Sequence, residues 1–352
     1  MLINFSQIAA ASEHAPSLKF SNTHSYGDVD CDNLATDVSA YRSTDLPSKP
    51  NQTDFSRNEL FVEFKFDVSA DPFLDSQTHI PNGDFERDTE AARLLRGQLS
   101  SYVAALSGSQ FRVHVFTILI FGRYARLMFW DRNGAVVSRA FDYTKLDYLG
   151  LFLQHFDKDV DRRGHDHSVV IPSRSQLRWV AKEDQTELAE RNRRHRDFRV
   201  MLIPDRDDAS QKSKFLISYP PEYTSRSPFG RATRPIVAYD LQESRLVFVK
   251  DYWRPVGSDK EGDVYSILVK HKVPHIATFC KGNDVGGNVT ITDQLRTRSW
   301  ACPTSEMVPL HNYRMSLKEV GRRLSEFKSS HEFVRSVADA MEGKQAHPLI
   351  SF

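Results

Sequence analysis

Residues 219–268 read YPPEYTSRSPFGRATRPIVAYDLQESRLVFVKDYWRPVGSDKEGDVYSIL, and this stretch decides the fold. Two runs within it, residues 235–239 and 246–250, are rich in β-branched and aromatic residues, which favours strands. The polar residues between the two runs predict a hairpin. Apolar residues at helical spacing follow Glu261 and predict a helix. A lysine at a strand end, here Lys250, and a glutamate on the next helix can form an ion pair that directs the lysine toward nucleotide phosphates.

Four segments of the chain resemble a known family. They are GRATRPIVAYDL at residues 230–241, LVFVKDYWR at 246–254, EGDVYSIL at 261–268 and KEVGRRLSEFKSSHEFV at 318–334. By their order, the chain resembles the fungal-type protein kinase family, a divergent branch of the kinase superfamily, over about residues 37–341. The resemblance implies a kinase-like N-lobe in the second half of the chain.

The resemblance also implies roles for particular residues, with ATP and Mg²⁺ as cofactors. Lys250 would contact the α- and β-phosphates of ATP, and Glu261 would pair with Lys250. The end of the last strand, which includes Glu319 and Gly321, would hold the edge of the adenine. Gly230 would belong to the phosphate loop.

Two features depart from an active kinase. The segment EYTSRSPFGRAT at residues 222–233 has only Gly230 where repeated glycines normally let backbone N–H groups approach phosphates; Arg231 and Arg234 offer charge there. After residue 341 the sequence continues EGKQAHPLISF, and no His-Arg-Asp catalytic loop or metal-binding aspartate follows. We therefore expect an absent C-lobe and no phosphoryl transfer by this chain. A truncated gene model, a splice form, a decayed copy and a half-kinase scaffold are the alternatives.

An absent C-lobe predicts an uncovered apolar edge. The residues expected to be exposed there are Phe327, Phe333, Val334, Val337 and Met341. This edge predicts either marginal stability or a protein partner that covers it.

An upstream block suggests a second kind of chemistry. Residues 59–67, ELFVEFKFD, alternate in character and predict a strand with Glu63 and Lys65 on one face. The helix predicted to follow carries Gln98 and Tyr102 one turn apart.

Asp37 precedes this block, and the order of acidic residue, Glu-x-Lys strand, helix with glutamine and further strands resembles the restriction-endonuclease-like fold. That resemblance implies that Asp37 and Glu63 bind Mg²⁺ while Lys65, which is not a ligand, orients the attacking water. The alternative is an ordinary surface ion pair between Glu63 and Lys65.

The whole pattern predicts an α+β protein of two domains. We predict a flexible leader at residues 1–30, an N-terminal mixed-sheet domain at 31–175, a charged linker or helix at 176–209 and the kinase-like N-lobe at 210–352. The arginines of the linker favour a solvated helix face, with a phosphate-binding patch as the alternative. The other predicted elements are strands at residues 37–41, 112–121, 124–130, 135–141, 215–219, 276–280, 288–292 and 313–320, and helices at 86–106, 145–156 and 325–342.

The composition limits the cellular compartments and the general binding partners expected for this protein. The 352 residues are 40% hydrophobic and 26% charged, with a formal net charge of +1, so no general attraction to nucleic acid or to a membrane is expected. Cys31, Cys280 and Cys302 are widely spaced, which predicts reduced thiols in the cytoplasm or nucleus. The N-terminus does not have the pattern of a signal peptide, and the apolar run VHVFTILIFG is too short for a membrane helix.

Three functions are compatible with these patterns. The first is a kinase-family protein that is catalytically incomplete, and the second is a pseudokinase module that binds a nucleotide or a protein. The third is a metal-dependent nucleic-acid enzyme or binder that uses Asp37, Glu63 and Lys65.

Overall fold

The structure is a computed structural model that describes residues 12–75, 85–222, 225, 227–301 and 307–345. The chain divides into two compact units. The first unit contains Met1–His167, Pro220–Ala232 and Val289–Leu310, and the second contains Ser168–Tyr219, Thr233–Asn288 and His311–Phe352. Both units combine a sheet with helices, as the predicted α+β class requires. The α-helices that lie wholly within the described residues are α1 (Glu90–Ser109), α2 (Tyr148–Lys158), α3 (Arg174–Trp179), α4 (Lys182–Glu190), α5 (Glu261–Lys270), α6 (Thr292–Leu295) and α7 (Ser330–Gln345).

The first unit is built on a mixed seven-stranded sheet. Its strands are β1 (Leu18–Asn22), β2 (Val38–Arg42), β3 (Asn58–Lys65), β4 (His114–Phe121), β5 (Tyr124–Asp131), β6 (Gly134–Val137) and β7 (Phe141–Asp142). They are ordered β1-β2-β3-β4-β5-β6, with β7 also beside β5. β3 and β4 are parallel, whereas the other pairs are antiparallel. A parallel pair needs a crossover, and α1 supplies it.

Helices cover both faces of this sheet. Leu99 and Leu106 of α1 are buried together with Phe61 of β3 and Leu119 of β4. Leu153 of α2 belongs to a separate buried cluster on the strands. That cluster also contains Leu60, Val62, Ile118 and Ile120. The alternation predicted for β3 is therefore confirmed, and it leaves Glu63 on the face that α1 covers.

The predicted flexible leader is wrong for part of its length. Residues 18–22 form β1, which pairs antiparallel with β2. Only Leu18 and Phe20 of this strand are buried. Two buried side chains form too short an alternating pattern for the strand to be recognised from the sequence. Residues 1–11 of the leader lie outside the described residues, as do 76–83 of the loop that follows the Glu-x-Lys strand.

The second unit also contains a seven-stranded sheet, in the order β13-β14-β12-β11-β10-β9-β8. Its strands are β8 (Val169–Val170), β9 (Asp197–Pro204), β10 (Lys212–Tyr219), β11 (Arg234–Asp240), β12 (Arg245–Pro255), β13 (Phe279–Val289) and β14 (Leu310–Leu317). β11 and β12 form the predicted hairpin with a regular antiparallel register. α5 follows β12, as predicted from its helical spacing.

The predicted charged linker at residues 176–209 differs from the structure. It contains α4, but it also contributes β9, which pairs along its whole length with β10. Arg194, expected on a solvated face, is only 3% exposed. The strand predicted at residues 288–292 is also wrong, because β13 ends at Val289 and α6 begins at Thr292.

Two predictions made from the composition, on the cysteines and on membrane-spanning helices, can be compared with the structure. Cys31 and Cys280 are free thiols, and Cys302 lies outside the described residues. Among the described helices, none has both the length and the apolar character needed to cross a membrane.

Candidate functional sites

Lys250 and Glu261 meet in the second unit, as the sequence predicts. The Nζ atom of Lys250 donates to both carboxylate oxygens of Glu261, at 2.8 and 2.7 Å. Both side chains are partly buried, with 25% and 20% exposed. The Nζ atom also lies 4.9 Å from the ring centroid of Tyr252. These contacts hold the lysine in one position, and a quarter of its side chain remains exposed.

Local sequence explains why Glu261 is held at this place. Glu261 and Asp263 lie in the first turn of α5, where negative charge complements the helix dipole. The next residue, Gly262, donates its backbone N–H to the hydroxyl of Tyr313 at 3.0 Å. A Cβ atom at Gly262 would come within 2.8 Å of Tyr313 and of Phe279. Glycine therefore allows the start of α5 to lie directly against the sheet.

The predicted adenine-binding residues follow β14, which ends at Leu317. The carboxylate of Glu319 accepts hydrogen bonds from the backbone N–H and the hydroxyl of Thr278, at 2.6 and 2.8 Å. The backbone N–H of Thr278 lowers the pKa of Glu319, as does its hydroxyl. Gly321 is exposed, and an added Cβ would meet nothing within 4 Å. The role of Glu319 and Gly321 toward a nucleotide stays a prediction.

Gly230 belongs to the first unit, whereas Lys250 belongs to the second. Its backbone is left-handed, with φ of +82°, and its N–H donates to the carbonyl of Arg132 at 2.8 Å. The neighbouring Phe229 stacks on Trp130 at 6.0 Å between ring centroids. The N–H group that a phosphate loop would offer from Gly230 is therefore already used by the first unit.

The two arginines predicted near Gly230 differ in how far they are exposed to solvent. Arg234 is only 6% exposed and lies opposite Asp251 on the β11–β12 hairpin, so its charge is directed into the unit. Arg231 is exposed.

The second candidate site lies in the first unit, where the three residues predicted for metal chemistry come together. Lys65 donates from Nζ to Oε1 of Glu63 at 2.7 Å. The Oδ2 atom of Asp37 accepts the backbone N–H of Phe64 at 2.8 Å. Because Phe64 lies between Glu63 and Lys65, this bond fixes the Asp37 carboxylate beside both of them.

Two residues of α1 complete this site. Gln98 donates from Nε2 to Oε1 of Glu63 at 2.9 Å and to the Tyr102 hydroxyl at 2.7 Å. Burial, with smaller contributions from the charges of Glu63 and Asp37, raises the pKa of Tyr102 to about 12. The sequence placed Gln98 and Tyr102 on one helix face but did not include them among the site residues. Their spacing of four residues was the available signal.

The surroundings of Glu63 disfavour the charged form of its carboxylate. It is only 1% exposed, and both donors bind its Oε1 atom, while the buried Oε2 atom has no hydrogen-bond partner among the described residues. Burial and then the charge of Asp37 raise the pKa of Glu63 to about 7, against the opposing effect of Lys65. A buried acceptor without a partner is uncommon in folded proteins, and a cation at Oε2 would supply one.

The apolar edge predicted in the second unit is exposed. The exposed fractions are 48% for Phe327, 38% for Phe333, 63% for Val334, 37% for Val337 and 58% for Met341. A protein partner at this edge stays a prediction. Residues 346–352 lie outside the described residues.

The sequence does contain one His-Arg-Asp tripeptide, at His195-Arg196-Asp197, upstream of the region in which a kinase catalytic loop is expected. It precedes the Lys250 strand, which is the reverse of the order in a kinase. Asp197 begins β9 and accepts from Nη1 of Arg199 at 2.6 Å. The tripeptide therefore starts a strand in the second unit and does not form a loop that follows the Lys250–Glu261 pair.

The second unit thus contains a lysine–glutamate pair of the kind that is typical of protein kinases. Counting from β10, Lys250 lies on the third strand, and its glutamate partner lies on the following helix. The family model described as "Fungal protein kinase" matches residues 83–347. The chain belongs to the fungal protein kinase family. No curated protein and no solved structure gives a significant match to the chain.

Proposed function

We propose that this chain binds a nucleotide in its second unit, through Lys250 positioned by Glu261. The observation that carries the proposal is the two-oxygen ion pair between them, at 2.7 and 2.8 Å. In kinases the same pair directs the lysine toward the α- and β-phosphates. The family match supports this reading because it covers both residues.

The proposed activity is the binding of a nucleotide. Transfer needs a residue that orients the acceptor hydroxyl and groups that hold Mg²⁺ at the phosphates. In these 352 residues no His-Arg-Asp loop follows Lys250, and we assign no Mg²⁺ ligand in the second unit. The proposal is therefore limited to the binding of ATP by Lys250 and Glu261.

Thermal unfolding with and without ATP tests this proposal. A ligand at about 100 times its dissociation constant stabilises the folded state by about 2.7 kcal/mol, so the wild-type chain should melt at a higher temperature with ATP. Lys250→Ala and Glu261→Gln should lose this shift. Lys214→Ala is the matched control, because Lys214 is an exposed lysine on β10 of the same sheet.

Two further measurements make the result specific. Mg²⁺ alone must be measured beside Mg-ATP, since a divalent cation bound elsewhere would also raise the melting temperature. An equal ATP shift in the wild type and in Lys250→Ala would contradict binding at this site. Absence of a shift at millimolar ATP would leave Lys250 and Glu261 as a structural pair.

A second candidate function is favoured by the orphaned Oε2 atom of Glu63. We propose that the first unit has a restriction-endonuclease-like arrangement and that Asp37 and Glu63 bind a divalent cation such as Mg²⁺. The donor set fits, because two carboxylates, one of which has a buried oxygen without a hydrogen-bond partner among the described residues, suit a hard cation. When bound, such an ion would act as a Lewis acid on a phosphodiester.

The residues of this site have separate tasks in that chemistry. Lys65 would orient a water molecule or stabilise charge that develops on the phosphate. Gln98 fixes the orientation of Glu63 by donating to Oε1, which leaves Oε2 for the cation. Tyr102 in turn positions Gln98 through its hydroxyl.

A plasmid-nicking assay with Mg²⁺ or Mn²⁺ tests this second function. We expect metal-dependent nicking by the wild type and a loss of about 100-fold or more in Lys65→Ala, because a charge-stabilising donor is removed. Lys19→Ala, at an exposed lysine of β1 in the same unit, is the control. Nicking that survives Lys65→Ala unchanged would contradict the proposal.

A further inference from the structure

The turn after α5 in the second unit is held by backbone hydrogen bonds and ends at His275. Val273 donates its backbone N–H to the carbonyl of Leu268 at 3.0 Å, and Lys272 donates to Val269 at 3.0 Å. His275 is left-handed, with φ of +57°. The turn therefore holds the imidazole in a defined place relative to α5.

The last described helix, α7, is held by few buried contacts. Its apolar residues Phe333, Val334 and Met341 are all exposed. Near its C-terminal end it approaches the turn closely, since a Cβ at Gly343 would lie 3.0 Å from the carbonyl oxygen of Pro274. Hydrophobic burial thus contributes little to the position of this helix, although its approach to the turn is close.

Three metal-ligating side chains meet where α7 approaches the turn. His275, Asp339 and Glu342 each offer one ligand atom, and these atoms lie within 4.8 Å of one another. Nε2 of His275 is 3.2 Å from Oε2 of Glu342. Asp339 and Glu342 are three residues apart and so share one face of α7.

Asp339 has no evident role in an ion pair. Its side chain is half-buried, and within the described part of the chain it makes no hydrogen bond or ion pair. Two carboxylates that share one imidazole are not neutralised by it, because even a protonated imidazole carries one positive charge. A divalent cation would balance both carboxylates.

We propose that His275, Asp339 and Glu342 bind a divalent transition-metal ion of the zinc type, which cross-links α7 to the turn after α5. One imidazole nitrogen and two carboxylate oxygens are ligands that zinc accepts, at about 2.0–2.2 Å. With three protein ligands, a tetrahedral ion keeps one position for water. The ion holds in place a helix that hydrophobic packing alone leaves weakly attached.

The site is independent of the Glu63 site in its chemistry. Asp37 and Glu63 provide only oxygen ligands, which suit Mg²⁺ or Mn²⁺, whereas an imidazole nitrogen favours zinc or cobalt. The two sites can therefore be separated by the choice of ion and by substitution.

Titration of the metal-stripped 352-residue chain with Co²⁺ and Zn²⁺ tests the proposal. The wild type should bind one Co²⁺ with the visible absorption of a low-coordinate ion, and Zn²⁺ should displace it. His275→Ala and Asp339→Asn should each weaken Zn²⁺ binding by about tenfold or more, as measured by calorimetry. His331→Ala is the control, because His331 is an exposed histidine on the same helix but outside the cluster.

Limited proteolysis supplies a second measurement on the same samples. Zn²⁺ should slow cleavage within residues 330–345 in the wild type and in His331→Ala, and should have no effect in His275→Ala. If the alanine variant unfolds, Asp339→Asn provides the same test with a smaller change. No Zn²⁺ binding by the wild type at micromolar concentration, or equal binding by His275→Ala, would overturn the proposal.

Discussion

Replacement of Asp251 by asparagine is expected to lower the free energy of unfolding by about 3 to 5 kcal/mol, because it removes a buried carboxylate that forms ion pairs with two buried guanidinium groups. The Oδ1 atom of Asp251 accepts from Nε of Arg314 at 2.9 Å and from Asn312 at 2.9 Å. Nη1 of Arg234 lies 3.5 Å from Oδ2. Arg314 is 1% exposed and Asp251 is 4% exposed.

This network joins β12, the strand that carries Lys250, to its neighbours β11 and β14. Asp251 follows Lys250 on β12, and successive side chains of a strand point to opposite faces. Lys250 is thus directed to Glu261, while Asp251 ties β12 to Arg234 of β11 and Arg314 of β14. Loss of the carboxylate would therefore affect the sheet itself, beyond any effect on a ligand.

Urea unfolding monitored by fluorescence measures the expected change. Asp263→Asn is the matched control, because Asp263 pairs with Arg206 at 3.1 Å but is 53% exposed. An exposed pair contributes at most about 1 kcal/mol. If Asp251→Asn cost no more than Asp263→Asn, the buried network would not stabilise the sheet.

Local periodicity predicted much of the fold. The alternation in residues 59–67 identified β3, and the structure has this strand at Asn58–Lys65. The apolar stripe after residue 86 identified α1, at Glu90–Ser109. Such elements are recognisable because burial of one face imposes a repeat on the sequence. That same repeat placed Glu63 and Lys65 on one strand face.

Contacts between segments that lie far apart in the chain were much harder to predict from the sequence. Nothing in the repeat indicates that residues 220–232 and 289–310 belong to the first unit. They are attached by contacts such as the stacking of Phe229 on Trp130 and the hydrogen bonds from Ile291 and Thr292 to Asp131. Contacts between residues far apart in the chain carry no periodic signature.

The lack of a sequence signal for contacts between distant residues also limited the prediction of the candidate sites. The Lys250–Glu261 pair was predicted by family resemblance, and the structure has it. The convergence of Gln98 on Glu63 follows from a strand and the crossover helix after it, which pack together by necessity. His275 lies more than sixty positions before Asp339 and Glu342 in the sequence. No local sequence pattern indicates that these three residues form a cluster.

The pKa of about 7 at Glu63 predicts a pH-dependent stability that Glu63→Gln should remove. Below pH 4.5, the ordinary value for glutamate, the carboxyl holds its proton in both the folded and the unfolded chain. Between pH 4.5 and 7 the unfolded chain releases the proton while the folded chain keeps it. The free energy of unfolding therefore falls as the pH rises through this window, by about 3 kcal/mol in total.

Urea unfolding of the wild type and Glu63→Gln in EDTA, at pH 5.5 and pH 8.0, measures this effect. Glutamine resembles the protonated carboxyl, so its advantage over the wild type should be larger at pH 8.0. The difference between the two proteins cancels the titration of groups they share. Glu90→Gln, at an exposed glutamate in the same unit, should follow the wild type at both pH values.

Addition of Mn²⁺ then distinguishes a cation site from a merely strained carboxylate. A metal ligand must be deprotonated, so Mn²⁺ should stabilise the wild type more at pH 8.0 than at pH 5.5 and should leave Glu63→Gln unaffected. A pH-dependent advantage of Glu63→Gln without any Mn²⁺ effect would mean that the orphaned oxygen is strain alone. An advantage equal at both pH values would contradict the raised pKa, and the electrostatic basis of the site would fail with it.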